Sequence, residues 1–177
     1  MIDSDKVAKA FVVEHHYSGS YPAARERVGL YRGAQLVGVA VFSIPAQPKA
    51  LDVLPGERET CVELGRFVLL DEVAANGESW FLARCFELLR GLGYTGVVSF
   101  SDPVPRVVAG EVLFGGHVGR VYQATNASYL GRSAARTLRL LPDGAVAVHA
   151  THAGTQHAES FGVTVGGLLA EIGRAHV

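Results

Sequence analysis

The chain has 177 residues, 49% of them hydrophobic and 19% charged, with a formal net charge of −1. A chain of this length can bury the core of one domain, and the composition excludes an intrinsically disordered polypeptide. The near-neutral charge excludes a uniformly basic nucleic-acid-binding protein, and no apolar run reaches the ~20 residues that a transmembrane helix needs. We therefore expect one domain over residues 1–150 and a C-terminal extension over residues 151–177.

Hydrophobic periodicity, turn residues and helix caps predict the elements in chain order. Helices are predicted at Lys6–Glu14, Glu78–Gly91 and around Val118–Gln123. Strands are predicted at Val28–Tyr31, Leu36–Ile44, Cys61–Leu70, Tyr94–Phe100, Ser128–Leu130, Thr137–Leu141 and Ala145–Ala150. Loops are expected at Pro45–Glu59 and Pro105–Gly116, and Thr164–Ile172 could form a last helix. The order predicts an α/β (α+β) fold whose central sheet is mixed, mostly antiparallel and flanked by helices.

Two details of the predicted strands concern the backbone. Gly38 lies inside a strand, which indicates a β-bulge or a close backbone approach. In the strand that begins at Cys61, alternation with a period of two places Glu63 and Gly65 on one face and Leu64 and Arg66 on the other.

The two cysteines, Cys61 and Cys85, form no C-x-x-C pair, and no signal peptide opens the chain. This pattern favours a reduced, cytoplasmic setting in which both thiols are buried as small apolar groups.

Arginines cluster in two parts of the chain although the total charge is nearly neutral. From Val112 to Pro142 there are four arginines and no acidic residue, and a second cluster contains Arg25, Arg27 and Arg32. They could form a basic face for DNA or an ordinary solvated surface, and charge alone favours the second reading.

Two stretches have the composition of a site. Residues 116–131 read GHVGRVYQATNASYLG, and the loop at 15–22 reads HHYSGSYP. Tyr122 is a candidate proton donor or acceptor because a phenol can do both. His16 could ligate a metal or act as a base, or a backbone carbonyl could satisfy the ring.

The segment Asn76-Gly77-Glu78-Ser79 begins the predicted long helix. The first N–H groups of a helix lack intrahelical partners and attract anions, so this turn is a candidate phosphate site. It contains one glycine and no lysine, and an ordinary capped helix is the simpler reading.

Several short motifs together resemble the phage Mom family. They are HYS at 16–18, ELGR at 63–66, the serine at 79, SFSDP at 99–103 and GHxGxxYQATN at 116–126. The resemblance covers roughly Glu14 to Gly131. The chain departs from the family pattern in a longer segment between Pro103 and Gly116, in a single His117 where a pair is expected, and in its C-terminal tail.

Proteins of the Mom type look like divergent N-acetyltransferases of the GNAT fold and modify adenine in DNA at N6 with an acetamide-type (carbamoylmethyl) group. The resemblance implies acetyl-CoA as cofactor and protection of phage DNA from restriction, in the cytoplasm of a phage-infected or prophage-bearing bacterium. Adenine must then be flipped out or met in single-stranded DNA. An iron ion is neither required nor excluded, and the oligomeric state is open.

The residue roles implied by the resemblance fall into three groups. The catalytic set is Tyr17, His16, Asp102 and Tyr122, with His16 as a candidate metal ligand. The cofactor-binding set is Arg66, Ser79, Asn76 and Gly77. The arginines expected to contact DNA are Arg25, Arg27, Arg132 and Arg136. Two alternatives stay open at this stage: a conventional acetyltransferase acting on a small amine or a protein, and an inactive binding module of the same fold.

Overall fold

A computed structural model describes residues 1–103, 105–108, 110–133, 136–140, 146–147 and 170–175. The chain divides into two structural units, one formed by 1–100 with 119–130 and the other by 101–118 with 131–177. The expected domain boundary near residue 150 stays a prediction.

A four-stranded sheet forms the centre of the first unit. Its strands are β1 (Ala24–Arg32), β2 (Gln35–Ser43), β3 (Cys61–Leu69) and β4 (Gly96–Val98), in that spatial order. The first three strands are antiparallel, whereas β4 pairs parallel to β3. The prediction of a mixed, mostly antiparallel sheet is confirmed for this unit.

Two helices cover opposite faces of this sheet. Helix α1 (Asp5–His15) packs Ala8, Phe11 and Val12 against Val39 and Val41 of β2. Helix α2 (Gly77–Gly91) packs Phe81, Leu82, Cys85 and Leu89 against Ala40 and Phe42, the intervening residues of the same strand. Strand β2 is therefore buried on both faces, and each fully buried Val or Phe side chain contributes roughly 1.5–3 kcal/mol of transfer free energy.

Both thiols lie where the sequence predicted them. Cys61 and Cys85 are free and buried, at 1% and 0% exposure.

A β-bulge in β3 changes the predicted orientation of Arg66. Val41 pairs with Arg66, but the next residue of β2, Phe42, pairs with Leu64, so Gly65 is an extra residue. An extra residue shifts the alternation by one position. Arg66 therefore lies on the α1 face, together with Glu63, and Leu64 lies on the α2 face. The prediction that Leu64 and Arg66 share a face was wrong for this reason.

The bulge predicted at Gly38 is confirmed by a register shift in β1 and β2 between the pairs Leu30–Gly38 and Tyr31–Leu36. The expected loop at 45–59 contains two short 3₁₀ helices, Pro48–Val53 and Arg58–Thr60. Strand β4 is shorter than predicted. Helix α3 (Arg120–Ala124) confirms the predicted short helix, whereas residues 128–130 form no strand.

The second unit contains two small sheets. Strands β5 (Arg106–Val108) and β6 (Glu111–Phe114) are antiparallel, so the expected loop at 105–116 was wrong. Its valines favour extended backbone, and Gly110 has the positive φ of +86° that a tight turn accepts. The other sheet has the order β8 (Val146–Ala147), β7 (Arg136–Leu140), β9 (Ala170–Ala175).

The predicted antiparallel pairing of the last hairpin is confirmed by β7 and β8, whose connection at 141–145 lies outside the described residues. Of the helix expected at 164–172, residues 170–172 lie in strand β9, and the rest lies outside the described residues.

Candidate functional site

The loop that follows α1 brings His16, Tyr17 and Ser18 together. The His16 and Tyr17 rings lie 4.2 Å apart between centroids, tilted by 30°. The backbone N–H of Ser18 donates to Nδ1 of His16 at 3.1 Å, and the Ser18 hydroxyl lies 2.9 Å from the same nitrogen. Since a backbone N–H is always a donor, Nδ1 is an acceptor, and the neutral imidazole carries its proton on Nε2.

Arg66 reaches this loop from the middle of β3. Its Nε donates to the carbonyl oxygen of Ser20 at 2.9 Å, and its Nη2 donates to the Ser20 hydroxyl at 2.6 Å. Burial lowers the pKa of Arg66, and the nearby Tyr17 and Glu63 act in the opposite direction. The guanidinium is thus a half-buried cation that the loop and β3 surround.

Tyr122 lies on α3 and packs against the core beneath α2. Burial raises the pKa of its phenol, and nearby Tyr17 and Glu63 raise it further, while a hydrogen bond with the Ser99 side chain acts in the opposite direction. The phenol is therefore protonated at neutral pH and can donate a hydrogen bond, and its raised pKa makes it a weaker acid than an ordinary tyrosine.

These side chains meet at the carboxyl end of β4. Ser99 directly follows this strand, and the last pair that β4 makes with β3 is Val98–Glu63. After Glu63, β3 continues to Leu69 and, in the described part of the sheet, pairs only with β2. The two parallel strands thus stop pairing next to Ser99, the hydrogen-bond partner of Tyr122, and crevices at the carboxyl ends of parallel strands are common ligand sites in α/β sheets.

The predicted phosphate-binding turn lies at the start of α2. Asn76 occupies the N-cap position without a side-chain capping bond, and Gly77 is the first helical residue. The Ser79 hydroxyl donates back to the Asn76 carbonyl at 3.2 Å. Among the described residues no side-chain cap is formed at this turn, and although the Gly77 N–H donates to the Ala74 carbonyl oxygen at 2.7 Å, the following N–H groups of the first helical turn are suited to an anion.

The arginines expected to bind DNA have different surroundings. Arg25 donates to the Glu59 carbonyl oxygen at 2.9 Å, and Arg27 forms a 3.3 Å ion pair with Asp5. Arg132 is exposed in the second unit, and the side chain of Arg136 lies outside the described residues. A role in DNA binding stays a prediction for all four.

Asp102 belongs to the second unit, in contact with His117. The backbone N–H of His117 donates to the Asp102 carbonyl oxygen at 2.8 Å. This bond closes the base of the β5–β6 hairpin and brings the SFSDP and GHxG motifs together. The residues that lengthen the segment between Pro103 and Gly116 therefore form a hairpin whose ends are adjacent.

Sequence reasoning missed four side chains that contribute to this site, Ser18, Ser20, Glu63 and Ser99. Three of them lie inside motifs that carry the resemblance, and Ser20 lies two positions after the end of HYS. Their position in or beside these motifs was the signal that could have identified the four side chains. A serine or a glutamate in a loop or near a strand end is usually solvated, so composition alone did not distinguish them from surface residues.

A metal ion at His16 does not fit this geometry. A metal bound through Nε2 needs a proton on Nδ1, which donates to a nearby acceptor. Here Nδ1 accepts the Ser18 N–H instead. Within the described ranges, no group of three or more His, Cys, Asp or Glu side chains is placed to hold an ion.

Comparison with known proteins gives a family. A model of the Mom protein family matches residues 2–162. The chain belongs to the Mom protein family. The match begins before Glu14 and continues beyond Gly131, so the motif-based limits of the resemblance were too narrow. Membership indicates a role in DNA modification of the phage type. Among curated proteins nothing matches this Mom-family chain.

None of the described helices is both long enough and apolar enough to cross a bilayer.

Proposed function

We propose that this Mom-family protein is an enzyme that uses acetyl-CoA to add an acetamide-type (carbamoylmethyl) group to adenine N6 in DNA. The observation that carries the proposal is the buried Tyr122 phenol, which forms a hydrogen bond with Ser99 and interacts electrostatically with Tyr17 and Glu63, near the point where β3 and β4 stop pairing. A buried phenol next to the end of the strand pairing can donate a hydrogen bond to the carbonyl oxygen of a bound substrate.

The residues at the start of α2 fit the pyrophosphate of acetyl-CoA. A 15-residue helix supplies a substantial dipole, and no side chain caps its first turn. Ser79 would hold the phosphates through its backbone N–H and its hydroxyl, in the turn that Asn76 and Gly77 form, where the Gly77 N–H itself donates to the Ala74 carbonyl oxygen at 2.7 Å. The strand that leads to this turn is β3, which supports a GNAT-like arrangement of strand, turn and helix around the cofactor.

Acetyl-CoA supplies an activated two-carbon group. Attachment through its methyl carbon is a two-electron oxidation of that carbon, so the reaction needs a two-electron oxidant. Conversion of the thioester into the amide needs an ammonia donor and releases CoA as the thiol. The oxidant and the ammonia donor come from the cell, and the roles proposed for this chain are binding and orientation of the reactants and proton transfer. Tyr122 donates a hydrogen bond from its phenol to the carbonyl oxygen of the acetyl group. His16 and Tyr17 orient the base, and Asp102 orients or deprotonates the adenine amine. No proposed step runs through a metal at His16.

DNA as substrate requires an unstacked adenine, since N6 of a paired adenine is engaged with thymine. Tyr17 is 55% exposed and offers a ring for stacking. Tyr21 is less suited, because its hydroxyl donates to Asp5 at 2.9 Å and the ring packs against the α1 core. Phosphate contacts from arginines would make the affinity fall steeply with salt concentration.

The test is mass spectrometry of nucleosides from plasmid DNA of cells that express the wild-type protein, Tyr122→Phe or the control Tyr31→Phe. Tyr31 is half exposed on β1, outside the site. We expect a deoxyadenosine heavier by one acetamide substituent from the wild type and the control, and none from Tyr122→Phe. Unmodified DNA from cells that make the folded wild type would contradict the proposal, and retained acetyl-CoA binding would then favour an acetyltransferase for small amines or proteins.

A further inference from the structure

A chain of hydrogen bonds connects Arg66 to the ring of His16. Nη2 of Arg66 donates to the Ser20 hydroxyl at 2.6 Å, and the Ser20 hydroxyl donates to the Ser18 hydroxyl at 3.2 Å. The Ser18 hydroxyl lies 2.9 Å from Nδ1 of His16. All four side chains belong to the first structural unit.

The direction of these hydrogen bonds follows from Arg66, where the series begins. A guanidinium can only donate, so the Ser20 oxygen accepts from Arg66 and its proton points to Ser18. The Ser18 oxygen accepts that proton and directs its own hydrogen to Nδ1 of His16. The Ser18 N–H donates to the same nitrogen at 3.1 Å. This series of hydrogen bonds therefore fixes His16 as the tautomer with its proton on Nε2.

The β-bulge explains why Arg66 can reach the loop. Because Gly65 is the extra residue, Arg66 turns onto the α1 face of β3 instead of the face under α2. Gly65 has no side chain, and a Cβ at this position would lie 3.2 Å from Pro22, so the loop lies directly on the strand. The far end of the loop is also anchored, by the hydrogen bond from Tyr21 to Asp5.

We propose that Arg66, through Ser20 and Ser18, is a positioning residue that holds the His16–Tyr17 pair in one tautomer and one orientation, and that it is not a contact to the acetyl-CoA phosphates. Three of its five N–H groups donate to protein oxygens, two of them to Ser20 and one to the Gly65 carbonyl, which holds the guanidinium against the loop. The inference rests on the proposed function only for the consequence that adenine modification depends on this pair.

The experiment compares the full-length wild type with Arg66→Lys, Ser20→Ala and the control Arg84→Lys. Lysine keeps the charge but cannot bridge the carbonyl and the hydroxyl of Ser20 as a planar guanidinium does. Ser20→Ala keeps Arg66 and removes only the middle of the chain. Arg84 forms an exposed ion pair with Glu87 on α2 and has no part in the site.

Two readouts do not depend on DNA modification. Long-range ¹H–¹⁵N spectra of labelled protein should show His16 with its proton on Nε2 in the wild type and the control. In Arg66→Lys and Ser20→Ala we expect a mixture of tautomers and faster amide hydrogen exchange at Ser18. Calorimetry should give acetyl-CoA affinities within about 2-fold of each other for all four proteins. A tenfold change in affinity corresponds to about 1.4 kcal/mol, and replacing a side chain that does not contact acetyl-CoA should not change its binding free energy by that amount.

The modification readout is the amount of modified deoxyadenosine formed per unit time. We expect it to fall by about 10-fold or more in Arg66→Lys, since a hydrogen bond to a charged group contributes roughly 1.5–3 kcal/mol. For Ser20→Ala, which removes a neutral link, we expect a fall of about 5-fold. Arg84→Lys should modify DNA at the wild-type rate.

The outcomes separate the two proposals. Weakened acetyl-CoA binding in Arg66→Lys with an unchanged His16 tautomer would overturn the positioning role and return Arg66 to the cofactor. Changed His16 spectra and hydrogen exchange, with no modified DNA even from the wild type, would support the positioning of the loop and overturn the proposed function.

Discussion

Gly65 of β3 and Ser43 of β2 meet so closely that a Cβ on Gly65 would lie under 3.0 Å from the Ser43 hydroxyl oxygen. Ser43 is 1% exposed, and its hydroxyl has no hydrogen-bond partner in the part of the chain that the structure describes. The bulge therefore depends on the absence of a side chain at Gly65.

We expect Gly65→Ala to lower the free energy of unfolding by about 1–3 kcal/mol, the usual cost of overpacking a core. Ser43→Ala should be nearly neutral, because it removes a buried unpaired hydroxyl. The double variant should recover part of the loss, since the Cβ of residue 43 would lie at an ordinary 3.6 Å. Denaturant unfolding of the wild type, the two single variants and the double variant measures the coupling free energy between residues 43 and 65. If the effects of the two single variants simply add, the contact between these residues is not the cause of the destabilisation.

Gly116 is required where the SFSDP and GHxG motifs meet. It has a φ of +75°, and a Cβ would lie 2.6 Å from the Pro103 carbonyl oxygen, which belongs to the backbone and cannot rotate away. We expect Gly116→Ala to destabilise the second unit by at least ~1–3 kcal/mol. The matched control is Gly115→Ala, where nothing lies within 4 Å. Limited proteolysis should show faster cleavage in the first variant only, and equal rates would contradict this account.

The protonation of Tyr122 can be followed directly. Burial raises its pKa above the ordinary value of 10.0. A group whose pKa is raised on folding stabilises the protein fully below its unfolded pKa and loses that contribution as the pH rises through the folded value. The stability advantage of the wild type over Tyr122→Phe should therefore shrink only above about pH 10, in denaturant unfolding at a series of pH values.

An ultraviolet titration provides the independent measurement for Tyr122. The difference between the wild type and Tyr122→Phe should show the phenolate absorbance of one tyrosine appearing above pH 10. Ionisation of Tyr122 at or below that pH would contradict the burial that raises the pKa of its phenol.

Cys85 should resist thiol reagents in the folded protein. It is fully buried on the inner face of α2, and burial raises the pKa of its thiol to about 12, so little thiolate forms near pH 8. We expect labelling by an aromatic disulfide reagent only after denaturant is added. Peptide mapping distinguishes Cys85 from Cys61, and rapid native labelling at Cys85 would contradict its burial.

The local sequence determined much of this protein. Apolar periodicity predicted α1 and α2, β-branched residues and a short turn predicted the β1–β2 hairpin, and Gly38 marked a real bulge. These signals act within a few residues, where side-chain period and backbone preference are read directly. The motifs around His16, Glu63, Ser99 and Tyr122 were likewise sufficient to indicate the Mom family.

Other features were decided only by the tertiary structure. The bulge at Gly65 is a property of the pairing between β2 and β3, and no local pattern distinguishes it from a regular strand. That one extra residue turned Arg66 toward the loop. The hydrogen bonds from Arg66 to Ser20 join residues that are 46 positions apart in the sequence. The environment that raises the pKa of Tyr122 comes from α2, β3 and the loop after α1, so burial and charge at this phenol exist only once the chain has folded.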